Sequence, residues 1–354
     1  MTLPSLRLKH NSDRRIRGGH LWVFSNEVDT AQTPLTELHA GQEVQLETAT
    51  GKPLGLVCVS PNNLICARMH SRDTSHILDK SLLVHRIKVA LSLRERLFDK
   101  PFYRLVYGES DLLPGLVVDR FGDYFVVQIG TPGMERVRDD IVAALVQVFK
   151  PQAVLFKNDS GARKLEDLPS YVEDAFGTMP ELVALEENGV AFQAPVRNGQ
   201  KTGWFYDHRN NRARLAPYVA GKRVLAEKML VVEGDVMTAL KELKNAGERF
   251  DVVIADPPAF IKKRKDMRNG EAAYRRLNEQ AMRLLNKDGI LVSASCSMHL
   301  EEDKLKEALL GASRHLDRNL VITERGYQGA DHPLHPAIPE TAYIKALFCR
   351  VLPV

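Results

Sequence analysis

Cysteine is scarce in this chain. Four residues, Cys58, Cys66, Cys296 and Cys349, are scattered with no CxxC and no Cys/His pair at zinc-ligand spacing. A disulfide framework and a metal site are therefore not expected. Also missing is any apolar run of about eighteen residues, the length that crosses a membrane. The opening MTLPSLRLKHNSDRRIRGG lacks the apolar stretch and small-residue cleavage site of a secretory leader, so a cytoplasmic protein is expected, with no membrane partner. Charge is nearly balanced, at +4, so any affinity for nucleic acid must come from local clusters. What is present is an ordinary folding composition, 44% hydrophobic and 27% charged, in a 354-residue chain too long for one core.

Residues 1–75 read as short strands broken by turns: HLWVFSNEV, GQEVQLETATGKPLGLVCVS and NLICARMH, punctuated by Gly41, Gly51, Pro53 and Pro61-Asn62-Asn63. Strands so spaced suggest a small β-barrel. DKSLLVHRIKVALSLRERLFD then sets Leu83, Ile87, Ala90, Leu91 and Leu97 on one face of a connecting helix. Residues 76–185 form a second, α+β domain: a hairpin turning at Phe121-Gly122-Asp123, a helix near 133–149 and the strand AVLFKN. From 186 to 354 apolar strands ending in polar residues alternate with helices. LVVEGD (230–235), DVVIAD (251–256) and GILVSAS (289–295) are the strands, and EAAYRRLNEQAMRLLN carries the stripe Leu277, Ala281, Leu284 and Leu285. Such alternation builds a parallel sheet with helices on both faces, and ligands bind beyond the carboxyl ends of its strands.

Candidate chemistry falls at those ends. Asp256-Pro257-Pro258-Ala259-Phe260 closes one strand, and two prolines hold a rigid extended turn that can face a carboxylate and carbonyls toward a planar base. Taken alone the motif suits methylation of exocyclic amino nitrogens. Ser295-Cys296-Ser297 closes the next strand, so Cys296 and Asp256 lie side by side if the strands are neighbours. A thiolate adding to carbon 6 of cytosine makes carbon 5 nucleophilic, and a nearby carboxylic acid can supply a proton to the ring nitrogen. An inert core cysteine is the alternative for Cys296, and Cys58, Cys66 and Cys349 sit in strand-like runs as packing residues. Asp235 either meets a cofactor's adenine or simply caps a helix. Gln200, Lys201, Thr202 and Gly203, followed by Trp204, Phe205, Asp207 and Arg209, could wall a cofactor or base, or form a plain surface turn. His332 and His335 lack metal-ligand partners. Arg14, Arg15, Arg17 and Trp22 mix cations with an aromatic ring, suited to RNA phosphates and stacking, although a solvated basic face is the commoner meaning of such a run. Lys262, Lys263, Arg264, Lys265 and Arg268 make a second basic cluster.

RIRGGHLWVFSNEV, YGESDLLPGLVVDRFGDYFVVQ, KTGWFYDHRNNR, DPPAF, SASCS and GADHPLHP, in this order over almost the whole chain, resemble the large-subunit ribosomal RNA cytosine-C5 methyltransferases. The resemblance implies an N-terminal PUA-like domain, a central α+β domain and a C-terminal Rossmann-like methyltransferase domain. It also implies S-adenosylmethionine as cofactor, large-subunit ribosomal RNA as partner, and a catalytic pair of Cys296 and Asp256. Asp235, Asp256, Pro257, Thr202, Phe205 and Asp207 would then lie at the cofactor, and Arg14, Arg15, Arg17, Trp22, Lys201 and Arg209 at RNA. A homodimer is compatible with such a chain.

One departure stands out. Family members carry a glycine-rich turn, a helix and a second strand after the strand matching GKRVL. Here only residues 226 to 229 separate GKRVL from the strand expected at 230–235, and four residues cannot make a parallel crossover. No GxGxxG replaces the loop. Two other functions follow from the residues: methylation of an amino group through Asp256-Pro257-Pro258, or RNA binding by a chain whose methyltransferase domain is inactive.

Overall fold

The computed structural model describes residues 3–226, 235–261 and 263–353. Two units divide the chain: everything up to Tyr206 together with Ala330–Thr341, and Asp207–Gly329 together with Ala342 to the C-terminus.

The first unit opens on a five-stranded sheet. β1 (Ser5–Arg7), β2 (Trp22–Phe24), β3 (Glu43–Glu47), β4 (Pro53–Val59) and β5 (Ile65–Ser71) take the order β1-β3-β4-β5-β2. All pairs are antiparallel except β1 with β3. The expected short strands are β2 to β5, and β1 adds an edge that the sequence pattern did not announce. Leu6, Leu8, Ile16, Val23, Val44, Val57 and Cys66 fill its core.

Helix Lys80–Leu97 follows, its N-terminus capped by the Asp79 carboxylate, which accepts from the Leu82 amide at 2.9 Å. Leu83, Ile87 and Ala90 are buried as expected, but Leu97 is 46% exposed and Arg94 continues the buried stripe. A fully buried guanidinium is tolerable because every side of it is answered. Arg94 donates to both oxygens of Asp111 at 2.6 and 2.7 Å and to the carbonyls of Arg104 and Asp331 at 2.9 Å. The last of these ties the returning segment Ala330–Thr341 into the same unit. Asp111→Ala should leave that charge buried and unpaired, lowering unfolding free energy by about 3–5 kcal/mol. Urea unfolding followed by near-UV circular dichroism measures it, and a loss under 1 kcal/mol would mean that solvent reaches Arg94.

β6 (Phe102–Tyr107), β7 (Leu116–Phe121), β8 (Tyr124–Ile129), β9 (Ala153–Asn158) and β10 (Tyr171–Phe176) make the second sheet, ordered β10-β9-β8-β7-β6. The β7–β8 hairpin turns through two residues, Gly122 taking φ +66 at the first position. β8 and β9 are parallel, which demands a crossover. It is supplied by two helices, Pro132–Arg136 and Arg138–Phe149, where one was expected; the break falls at Val137, φ −107. β11 (Val183–Glu187) and β12 (Val190–Ala194) form a hairpin across the expected division at 185/186. Its Asn188-Gly189 turn has both φ values positive, 53 and 78, as a two-residue hairpin favours.

The second unit holds β13 (Val224–Ala226), β14 (Phe250–Ala255), β15 (Leu285–Ser295), β16 (Arg318–Gly326) and β17 (Lys345–Pro353), ordered β13-β14-β15-β17-β16. β13, β14 and β15 run parallel; β17 is antiparallel to β15 and to β16. Helix Val236–Asn245 lies between β13 and β14, and helix Met267–Arg283 between β14 and β15. Tyr274, Leu277, Ala281 and Met282 of the latter are buried. The expected stripe is therefore sound up to Ala281. Leu284 caps the helix and Leu285 already belongs to β15. The strand expected at 230–235 lies outside the described residues, apart from Asp235. Among the described residues β13 is an edge strand, next to β14 alone.

Candidate active site

Two adjacent parallel strands carry the candidate catalytic residues. β14 and β15 pair in register with Ala255 opposite Ser293; Asp256 is the first residue after β14, and Cys296 the first after β15. Cys296 is partly exposed. The Asp256 carboxylate is 25% exposed and stands 3.6 Å from Nε2 of His208. Pro257 is buried and Pro258 exposed, so the turn is pinned at its start and open beyond.

Tyr274 stands between the two loops. Its hydroxyl lies 2.8 Å from Ser295 Oγ and its ring meets Phe260 edge-on at 4.8 Å. Burial first, and then the charges of Cys296 and Asp256, raise the Tyr274 phenol above its ordinary range. Ser297 Oγ donates to the Ile261 carbonyl at 2.7 Å, lashing the segment after Cys296 to the Asp-Pro-Pro loop. Lys345, opposite Ser295 on β17, donates from Nζ to the carbonyls of Ser297 at 2.6 Å and Tyr343 at 3.1 Å. Burial pushes the Lys345 ammonium below its usual range, against the opposing pull of Cys296 and Glu302. His208, Tyr274 and Lys345 were not singled out in the sequence. Lys345 offered no signal at all, because it reaches Cys296 only through strand pairing across 49 positions of chain.

The other three thiols are held in their protonated form by burial. Cys66 and Cys349 are fully buried, and burial pushes Cys58, Cys66 and Cys349 each up to about 12. Native protein treated with iodoacetamide at pH 8 should therefore carry a single adduct, at Cys296, by peptide mass spectrometry. Labelling of Cys58 at a comparable rate would contradict this. The same shifts carry a sign for stability. Folded-state values raised above the ordinary thiol range mean that the contribution is whole below about 9 and is lost as pH climbs from there toward about 12.

The remaining expected site residues scatter. Asp235 caps helix Val236–Asn245, one oxygen accepting from the amide and hydroxyl of Thr238 at 2.9 and 3.0 Å. Its capping reading is realised, and the carboxylate stays exposed. Thr202 is fully buried in the first unit, donating to Asp119 at 2.5 Å. Trp204 packs on Phe192 at 4.8 Å and donates to Glu187 at 3.0 Å. Lys201 holds its ammonium 4.6 Å from the Phe205 ring centre. In the second unit Asp207 is buried and accepts from the Tyr343 hydroxyl at 2.6 Å, and Arg209 is only 8% exposed. Burial of Thr202, Asp207 and Arg209 reduces what each can offer a cofactor or RNA.

Among the expected RNA contacts, Arg15 grips both oxygens of Glu27 at 2.8 Å, with its guanidinium 4.6 Å from the Phe24 ring centre. Arg17 pairs with Asp13 at 2.5 Å, and Trp22 donates to Glu109 at 2.9 Å. Arg14 is exposed. In the second unit Lys263, Arg264, Lys265 and Arg268 are all exposed directly after the Asp256 loop. Lys262 lies outside the described residues. Among the described residues no three His, Cys, Asp or Glu side chains group as metal ligands, and no helix is long and apolar enough to cross a membrane.

Residues 6–72 match the model of a PUA-like domain. A methyltransferase solved as a complex with SAH superposes with a TM-score of 0.79 over 99% of this chain and 100% of its own, at 18% identity, a likeness of fold. Ribosomal RNA large subunit methyltransferase I of Aliivibrio fischeri is 31% identical over 396 aligned positions, 98% of this chain and 99% of that protein. The protein of the same name from Shewanella frigidimarina is 31% identical over 394 positions, with the same coverages. Both alignments are longer than the 354-residue chain, so these relatives carry several dozen residues that it lacks. Near-complete coverage at this identity, a PUA-like front end and neighbouring parallel strands bearing Asp-Pro-Pro beside Ser-Cys-Ser lead to one assignment: the chain belongs to the ribosomal RNA large subunit methyltransferase I family.

Proposed function

We propose that this protein methylates carbon 5 of a cytosine in large-subunit ribosomal RNA, through a covalent bond between Cys296 and the base. The observation that carries the reading is a partly exposed thiol and a carboxylate at the ends of adjacent parallel strands, with Tyr274 bridging the two loops that follow. The Cys296 thiolate adds to carbon 6 of the pyrimidine, and Asp256, acting as a carboxylic acid at the ring nitrogen, donates the proton that neutralises the negative charge developing there. Lys345 favours the thiolate from its place opposite Ser295. Carbon 5, now enamine-like, takes the methyl group; it then loses its proton, and the C6–S bond breaks to return the electron pair to sulfur. His208, beside Asp256, is the basic group best placed to hold a proton through these steps. The target must be unpaired or flipped out of a stack to reach the loops.

S-adenosylmethionine, when bound, supplies the electrophilic methyl. In a parallel sheet its place is the crevice beyond the carboxyl ends of β13 and β14. Asp256 and Pro257 fit one side of that place, with the exposed Asp235 carboxylate after β13 as a second contact. Residues 1–75 serve RNA binding, with Arg14 and the exposed run Lys263, Arg264, Lys265 and Arg268 as phosphate contacts. Replacing Lys263, Arg264 and Lys265 together by Gln should flatten the salt dependence of rRNA binding, by roughly 0.7 in logarithmic slope per cation lost. Fluorescence anisotropy across a salt series measures it, and an unchanged slope would remove this run from the interface. Methylation of an amino group is the competing chemistry, and activity surviving in Cys296→Ala would favour it.

A further inference from the structure

A cavity of about 760 Å³ in the first unit lies between the end of β5 and the start of helix Lys80–Leu97. Arg72, His76, Ser81, His85 and Arg86 line it, together with Asp73 and Asp79. Both carboxylates are already engaged. Asp79 caps the helix at the Leu82 amide, and Asp73 accepts from the amide and hydroxyl of Ser75 at 2.9 and 2.7 Å and sits 3.2 Å from His76. Arg86 is not answered in the same way. Its Nε is buried with no hydrogen-bond partner, and burial alone pushes its ionisation down. Arg86 is partly buried, and a hidden Nε without a partner is costly unless an acceptor completes the site.

The geometry points to this cavity as a seat for a phosphodiester of the RNA chain, held by Arg86 and Arg72 at the start of helix Lys80–Leu97. The inference rests on the RNA-substrate reading and adds to it a site outside the catalytic unit. RNA is favoured over a free anion for two reasons. The space exceeds what one phosphate needs, leaving room for a nucleotide. Arg72 also donates to the Ile16 carbonyl at 2.8 Å, which joins the cavity to the basic helix Arg14–Arg17.

Binding of a large-subunit rRNA fragment, followed by fluorescence anisotropy over a salt series, tests it. Arg86→Met should weaken binding about tenfold at low salt and reduce the slope of log Kd against log salt by about 1. Arg86→Lys should restore most of the slope, and Arg72→Met should repeat the Met effect at the cost of its one hydrogen bond to the Ile16 carbonyl, with thermal unfolding confirming that the variant is folded. Equal slopes for wild type, Arg86→Met and Arg72→Met would overturn the site while leaving RNA binding intact. Failure of the wild-type chain to bind the fragment would overturn the substrate reading and this site together. Equilibrium dialysis with inorganic phosphate is the remaining arm. No uptake at millimolar concentration is expected, and tight uptake abolished by Arg86→Met would identify a free-anion site instead.

Discussion

Large-subunit rRNA carrying 5-azacytidine should become covalently attached to the wild-type protein and survive denaturation in SDS, whereas Cys296→Ala should yield no attached species. The expected loss is at least about a hundredfold, because a missing nucleophile removes the covalent route entirely. Its physical basis is positional. Cys296 leaves β15 where Asp256 leaves β14, and Ser297 and Tyr274 hold the two loops in register. Asp256→Ala should retain a slow adduct, since it removes the proton donor to the ring nitrogen and spares the sulfur. The attachment needs no methyl donor, so it probes the base-binding half of the site by itself. An equal yield from Cys296→Ala would mean that another group forms the bond, or that none is required.

Calorimetric titration with S-adenosylmethionine should show binding roughly a hundredfold weaker than for the Aliivibrio fischeri relative. The relatives carry several dozen residues more, and β13 is an edge strand among the described residues. Among the described residues one helix, Val236–Asn245, lies between β13 and β14. Two lost hydrogen bonds of about 1.5 kcal/mol each would account for about 3 kcal/mol, or a factor of about a hundred in Kd. Methyl transfer should accordingly require donor near millimolar concentration. Affinity equal to that of the relative would show that residues after Ala226 rebuild the missing contacts.

Where local pattern and tertiary constraint agree, the fold was legible. Val252, Val253 and Ala255 read as a buried strand because a parallel sheet covers both faces, and Asp256 followed by two prolines marked its end. The Gly122 turn was legible because its conformation favours that residue. Arg94 was not, because a buried guanidinium is paid for by Asp111 and by carbonyls 10 and 237 positions away, which no window of sequence contains. For the same reason Thr202 looked like a ligand contact while its hydroxyl was committed to Asp119, 83 positions earlier. Cys296 and Asp256 were legible as a pair because both end consecutive parallel strands. Lys345 and His208 come from outside the β14–β15 unit and needed the three-dimensional arrangement.

Nucleoside mass spectrometry of unmodified large-subunit rRNA, incubated with the wild-type protein and saturating labelled donor, bears most directly on the pairing of Cys296 with Asp256 at one pyrimidine. Label in 5-methylcytidine, absent with Cys296→Ala, is the predicted result. Label in an N4-methylated cytidine or a methylated adenosine, undiminished by that substitution, would contradict it.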